Sequence, residues 1–243
     1  MYKNNKIMAL VPARGGSKGI PRKNIIPFGG RPLISYVIKS GLRSRYLDAV
    51  YVSSDSEEIL EVAKKYGARI LKRPKYLAGD KSATIDTEKH ALQVLSKRGE
   101  KYDYLLLLQP TSPFTRHQDI DMAIEQLFKD GNDMLISVTS SHMPPDLLIF
   151  IKDRNLYFHN NKYFYDIRRQ NLPQYYMFNG AIYIYKREIV LSAKSYPYIR
   201  GKTSAYIMPK HQSIEIDSPE DLLIATSIRR DIKKYAALHK SRK

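Results

Sequence analysis

The sequence predicts an α/β protein: a doubly wound, mostly parallel Rossmann-like sheet with a small β-rich insertion. Three observations carry this expectation. Short apolar runs alternate with segments of helical period along most of the chain, the pattern that puts helices on both faces of a parallel sheet. Two of those runs, Ile7–Val11 and Tyr104–Leu108, are apolar throughout, as strands buried on both faces are. Between His142 and Asn179 the rhythm gives way to paired prolines, tyrosines and short alternating stretches such as Leu147–Ile151. The expected division is a main domain of residues 1–141 and 180–243, interrupted by a subdomain of residues 142–179.

The elements follow in order. Ile7–Val11 is the first strand, and Pro32–Arg43 the first helix, because Leu33, Tyr36, Val37 and Ser40 fall at helical spacing and proline suits a first turn. Ala49–Ser53 is the second strand. Asp55 then caps a helix reaching about Tyr66, with Glu58 three residues on completing a capping box. Ala68–Leu71 reads as a short strand, Thr84–Lys97 as a helix, Tyr104–Leu108 as a strand, His117–Lys129 as a helix and Met134–Val138 as a strand. After the insertion come strands at Ala181–Tyr185, Ala205–Met208 and Ser213–Ile216, then a helix from Ser218 to about Tyr235.

A hydrophobic fraction of 43% over 243 residues is enough for a substantial core. The chain has no cysteine, which excludes disulfides, thiolate metal sites and a cysteine nucleophile. No segment approaches the ~18 continuous apolar residues of a membrane span, and the N-terminal run is too short for a leader core. A cytoplasmic protein without stable membrane association is expected. Lys and Arg number 41 against 24 Asp and Glu, a formal charge of +17 that points to anionic partners. The excess is spread along the chain with no arginine-rich arm or aromatic ribonucleoprotein pattern, so nucleic acid is not the expected partner. His142, His159 and His211 lack metal-ligand spacing.

The chemistry concentrates first in the loop after strand one, Pro12-Ala13-Arg14-Gly15-Gly16-Ser17-Lys18-Gly19-Ile20-Pro21-Arg22-Lys23-Asn24. Glycines and a serine let backbone N–H groups approach an anion, and Arg14, Lys18, Arg22 and Lys23 add cations. In a doubly wound sheet this loop lies at the carboxyl ends of the strands, where ligands bind. The expectation is a triphosphate cradle that neutralises charge building on a leaving pyrophosphate. Neither the Walker lysine motif nor the dinucleotide G-x-G-x-x-G is present.

A second concentration lies near the C-terminus. On a strand, Glu215 and Asp217 share one face while Ile214 and Ile216 point into the core. Ser218 and Asp221 read as a helix cap, leaving the first pair free to hold a hard divalent ion with substrate phosphates. Asp217 is the first choice as ligand and Glu215 the second.

The loop motif resembles that of the CMP-N-acylneuraminate cytidylyltransferases. Four further stretches match in order: Arg73-Pro74 with Leu77-Ala78-Gly79-Asp80, Gln109-Pro110-Thr111-Ser112-Pro113, Asn179-Gly180-Ala181-Ile182-Tyr183, and Ser213-Ile214-Glu215-Ile216-Asp217. The resemblance spans nearly the whole chain and implies a nucleotidyltransferase-type fold and a reaction joining CMP from CTP to an acidic nonulosonic sugar. It implies Mg²⁺ or Mn²⁺ as cofactor, held by Asp217 with Glu215, where many members carry two aspartates. Arg14, Lys23 and Asp217 would be catalytic. Nucleotide would be bound by Ala13, Arg14, Gly15, Ser17, Lys18, Lys23, Asn24, Arg73 and Thr84, and sugar by Gln109, Arg169, Asn179 and Tyr183, the last with its body in the core and its polar tip in the cleft.

In the resembling family the insertion builds a homodimer that completes each site. The seven tyrosines from Tyr157 to Tyr185 suit such an interface, and aromatic core packing accounts for them as well. Asp146 stands about where some sialic-acid members carry lysine, so the acceptor stays open among sialic, legionaminic, pseudaminic and Kdo-type acids. From another class, a non-catalytic basic module would bind nucleic acid or anionic membrane with a steep salt dependence and release no pyrophosphate.

Overall fold

The computed structural model describes residues 1–80, 82–141, 143–159, 173–195 and 201–240. In chain order the elements are β1 (Ile7–Pro12), β2 (Pro27–Phe28), β3 (Arg31–Pro32), α1 (Ser35–Arg43), β4 (Ala49–Ser54), α2 (Glu57–Lys65), β5 (Arg69–Lys72) and α3 (Thr84–Lys97). They continue with β6 (Tyr104–Leu108), α4 (His117–Asp130), β7 (Met134–Ser140), β8 (Ile149–Lys152), β9 (Asn155–Phe158), β10 (Tyr176–Lys186), α5 (Arg187–Ser192), β11 (Thr203–Ile207) and α6 (Pro219–Lys240).

Seven strands form one sheet in the order β11-β7-β10-β6-β1-β4-β5. Every neighbouring pair is parallel except those of β10, which runs antiparallel to both β6 and β7. Between β7 and β10 the chain forms the β8–β9 hairpin, and β10 then lies against β7 from Tyr176↔Ser140 onward, an antiparallel return that needs no helical crossover. Along β1 the side chains alternate between two cores. Ile7, Ala9 and Val11 pack with α1, α2 and α4, whereas Met8 and Leu10 pack with α3 and α5. Helices on both faces make the sheet doubly wound, as its buried strands require. A third cluster of Phe28, Leu33, Phe114, Ile216 and Ala225 ties the β2–β3 turn and the loop after β6 to the start of α6. No described helix is long and apolar enough to cross a membrane.

Several expectations need correcting. Pro32 pairs with Pro27 in a two-stranded turn, and α1 begins at Ser35. Asp55 does not cap α2: the cap residue is Ser56, without a side-chain cap bond, and Glu58 pairs with Arg22. Both acids are drawn away by the basic loop after β1, whose N–H and guanidinium groups compete for them. Ser213–Ile216 is not a strand; it follows a short 3₁₀ turn and touches the sheet region through Ile216 N–H to Thr111 O at 2.9 Å. The cap of α6 is as expected, with Asp221 Oδ2 accepting from Ser218 N–H at 2.8 Å and from its hydroxyl at 2.7 Å. The subdomain boundary between 179 and 180 falls inside β10, which pairs with β7 from Tyr176↔Ser140 onward.

One buried acid lies outside this chemistry. Glu88 on α3 is 1% exposed, and neither carboxyl oxygen has a hydrogen-bond partner. Burial pushes its carboxyl up to about 8. Its folded value lies above its unfolded one, so the stability it permits is complete at low pH and is lost as pH rises through the folded value. Glu88→Gln should therefore gain on the parent protein between pH 5 and 9, by on the order of a few kcal/mol in denaturant unfolding. A gap that does not change with pH would show that Glu88 is charged throughout.

Candidate active site

The loop after β1 is held in shape by three anchors. Ala13 N–H donates to Ser53 O at 2.9 Å, Gly15 N–H to Asp55 Oδ1 at 2.9 Å, and Asn24 Nδ2 to Arg14 O at 2.9 Å. Asp55 thus spends its carboxylate on the loop, which explains why it is lost to the helix it was expected to cap. Gly19 meets the other wall so closely that a Cβ there would overlap the main-chain oxygen of Asp217.

Between these walls, at the carboxyl ends of β1, β5 and β6, lies a cleft of about 510 Å³. Arg14, Lys18, Lys23 and Arg73 line it from one side of the charge balance, and Asp80, Glu215 and Asp217 from the other. Lys23 Nζ pairs with Asp217 Oδ1 across 194 residues of sequence. Asp80 bridges Arg14 at 2.8 Å and Lys18 at 2.9 Å, and those two hydrogen bonds, Lys18 first, hold its carboxyl below the usual range. Arg73 is 6% exposed; its Nη1 donates to Thr87 Oγ1 at 3.2 Å, while Nε and Nη2 have no hydrogen-bond partner. Burial lowers the Arg73 pKa, against the opposing pull of Asp55 at 4.0 Å. Unpartnered donors on a desolvated guanidinium are well suited to an anionic ligand.

The acidic wall is asymmetric. Glu215 accepts from Thr111 Oγ1 at 3.2 Å, and burial, then the charge of Asp217, raises its carboxyl pKa. The Asp217 side chain is 62% exposed and faces Lys23. Among the described residues no group of three or more His, Asp or Glu is arranged to hold a metal by itself. Two carboxylates with remaining positions left to substrate phosphates is the usual way Mg²⁺ is bound, and the hard oxygen donors here fit that scheme.

Arg14, Ser17, Lys18, Lys23, Asn24, Arg73, Thr84, Gln109, Glu215 and Asp217 therefore meet in one cleft. Other candidates do not. Ala13 is fully buried in the core, and Gly15 N–H is committed to Asp55. Asn179 is 4% exposed and internally satisfied, accepting from Ser137 Oγ at 2.6 Å and donating to Ser213 Oγ at 2.9 Å. It pins β10 to β7 and to the acidic segment rather than reaching the cleft. Tyr183 is half-buried against the core shared with α3 and α5, and is not among the cleft-lining residues. Arg169 lies outside the described residues. Thr87, Thr111 and Asp55 were missed. Thr87 is one helical turn from Thr84, a spacing that marks a shared face.

Fold and cleft together define a nucleotide-binding α/β protein built for transfer at phosphorus. The chain belongs to the cytidylyltransferase family: the family model described as "Cytidylyltransferase" matches residues 8–206. A "Pseudaminic acid cytidylyltransferase" of Campylobacter jejuni is 33% identical over 90% of this chain and 94% of its own. An "N-acylneuraminate cytidylyltransferase" of Escherichia coli is 34% identical over 96% of this chain and 56% of its own. In fold, the chain is similar to a solved CMP:2-keto-3-deoxy-manno-octonic acid synthetase, with TM-score 0.70 and 17% identity over 93% of this chain and 99% of that one. A 4-diphosphocytidyl-2C-methyl-D-erythritol synthase of Anaerococcus prevotii superposes with TM-score 0.62 at 16% identity, covering 93% and 96% of the two chains.

Proposed function

We propose that this cytidylyltransferase joins CMP from CTP to the anomeric hydroxyl of a nonulosonic acid and releases pyrophosphate. The observation that carries the reading is the Lys23–Asp217 contact, which sets the cationic loop against the acidic segment across one cleft. Arg14 and Lys18, now bridged by Asp80, are free to turn to the triphosphate, which offers them more negative charge. The unpartnered donors of Arg73, with Thr84 and Thr87, receive the nucleotide. Gln109 at the end of β6 faces the acceptor. The sugar hydroxyl oxygen bonds the α-phosphorus in line, the bond to the bridging oxygen breaks, pyrophosphate leaves and the hydroxyl proton passes to solvent. Positioning and charge neutralisation supply the rate enhancement. Asp217 and Glu215 would hold Mg²⁺ or Mn²⁺, which neutralises phosphate charge and acidifies the attacking hydroxyl when bound.

Relatives named for pseudaminic and for N-acylneuraminic acid match at nearly equal identity, so the acceptor is placed in the nonulosonic class that both share. Pyrophosphate release should appear with CTP plus a nonulosonic acid and not with ATP, GTP or UTP. A panel of N-acetylneuraminate, pseudaminate, legionaminate and Kdo resolves the acceptor. No release with any member, alongside tight salt-sensitive DNA binding, would favour the basic-module reading instead.

The functional unit proposed is a homodimer joined through the insertion. The β8–β9 hairpin is apolar and exposed, with Ile151 at 74% and Leu156 at 56%, and Phe150 stacks on Tyr157 at 5.2 Å. An isolated two-stranded hairpin is marginal in water, so such a surface is expected to be covered. Ile151→Asp should shift the molar mass from dimer to monomer in light scattering and reduce turnover. A parent protein already monomeric at assay concentration would end the dimer reading.

A further inference from the structure

The loop that follows β6 walls two cavities, not one. Its first part, Gln109 to Thr111, lines the reaction cleft, and its second, Pro113 to Arg116, lines a separate cavity of about 370 Å³ together with the start of α4. That volume lies within the ~300–1,000 Å³ typical of small-molecule sites. The rest of the wall comes from Arg31 beside the β2–β3 turn, from Lys39 and Arg43 on α1, and from Gln212 and Arg229.

The charge of this cavity is one-sided. No carboxylate is among its described lining residues, whereas five of them are Arg or Lys. Two of those cations are committed to the fold. Arg116 is clamped by Asp119 at 3.0 Å, and Arg229 donates to Tyr36 Oη and Gly29 O, both at 3.0 Å. Among the described residues the other three are not paired with acids. Arg31 lies 3.8 Å from the Tyr36 ring centroid with its Nε buried and unpartnered, Lys39 lies over the Tyr66 ring, and Arg43 has no ion pair among the described residues.

A neutral group adds a second, independent observation. Thr115 is 2% exposed, lines the cavity and has no partner for its hydroxyl, although its carbonyl accepts from Ser40 Oγ at 2.6 Å. His117, the first residue of the 14-residue helix α4, brings that helix's N-terminal end to the same wall. Unpaired cations, an orphan hydroxyl and the positive end of a helix are the groups that bind phosphate.

We propose that this cavity is a second anion site, separate from the reaction cleft, that takes a phosphate-bearing small molecule. An occupant would rest on the back of the loop whose front carries Gln109 and Thr111.

Inorganic pyrophosphate titrated calorimetrically is the probe, and the cleft is disabled by Lys18→Ala with Lys23→Ala. That variant should keep one pyrophosphate site per chain. Adding Lys39→Glu and Arg43→Glu should weaken the site about tenfold or more, equivalent to ~1.4 kcal/mol. Thr115→Val should weaken it without changing the charge. The same reversal on α2, Lys64→Glu with Lys65→Glu, should leave it intact, and circular dichroism melts confirm folding of each variant. Loss of all binding in the cleft variant would overturn the proposal, as would equal weakening by the α2 reversal, which would show only net charge at work.

Discussion

Asp217→Ala is expected to lower kcat by about three orders of magnitude or more, a loss near ~4 kcal/mol of transition-state stabilisation. The residue meets the Lys23 ammonium and shares its wall with Glu215, so its removal leaves that cation unpaired and, under the proposed function, would leave a bound divalent ion only the Glu215 carboxylate. Folding should survive. The Asp217 side chain is 62% exposed, and the cap of α6 is built from Ser218 and Asp221, with Asp217 contributing only its backbone N–H. An ion pair this exposed contributes little to stability, ~1 kcal/mol at most. Initial rates across a Mg²⁺ series, with a melting curve for each variant, separate the roles. Unchanged turnover at saturating Mg²⁺ would remove Asp217 from the chemistry.

Gly19→Ala tests the geometry instead of the charge. A Cβ at Gly19 would strike the main-chain oxygen of Asp217, a backbone atom that no rotamer change can move aside. The loop and the acidic segment must then separate, and a shift of ~1 Å between reacting groups can cost about a hundredfold in rate. Gly16 provides an internal control in the same loop, since a Cβ there meets nothing within 4 Å. Gly16→Ala should keep nearly full turnover while Gly19→Ala loses it. Equal activities would mean that the two walls are not held at a critical spacing.

Much of the site was legible before any coordinates. The loop from Ala13 to Asn24 had to follow a buried strand, and a doubly wound sheet leaves such a loop only the carboxyl edge. The loop and the acid pair, read separately as a phosphate cradle and a site for a hard cation, line one cleft and touch through Lys23 and Asp217. What misled was competition among polar groups. Asp55 has the spacing of a helix cap, but Gly15 N–H lies within reach from 40 residues away and takes its oxygen. Asn179 has the look of a ligand-binding amide, yet Ser137 and Ser213 use its hydrogen-bonding capacity inside the protein.

By itself, then, the sequence determined the alternation of strands and helices, the buried strands β1 and β6, the cationic loop and the acid pair. These are periodicities and local compositions, set by how a side chain partitions between water and core. Only the tertiary structure decided the reversal of β10, the loss of regular strand at Ser213–Ile216 and the capture of Asp55 by the loop. Each of those depends on which hydrogen-bonding partner arrives from elsewhere in the chain, and a local pattern holds no record of that.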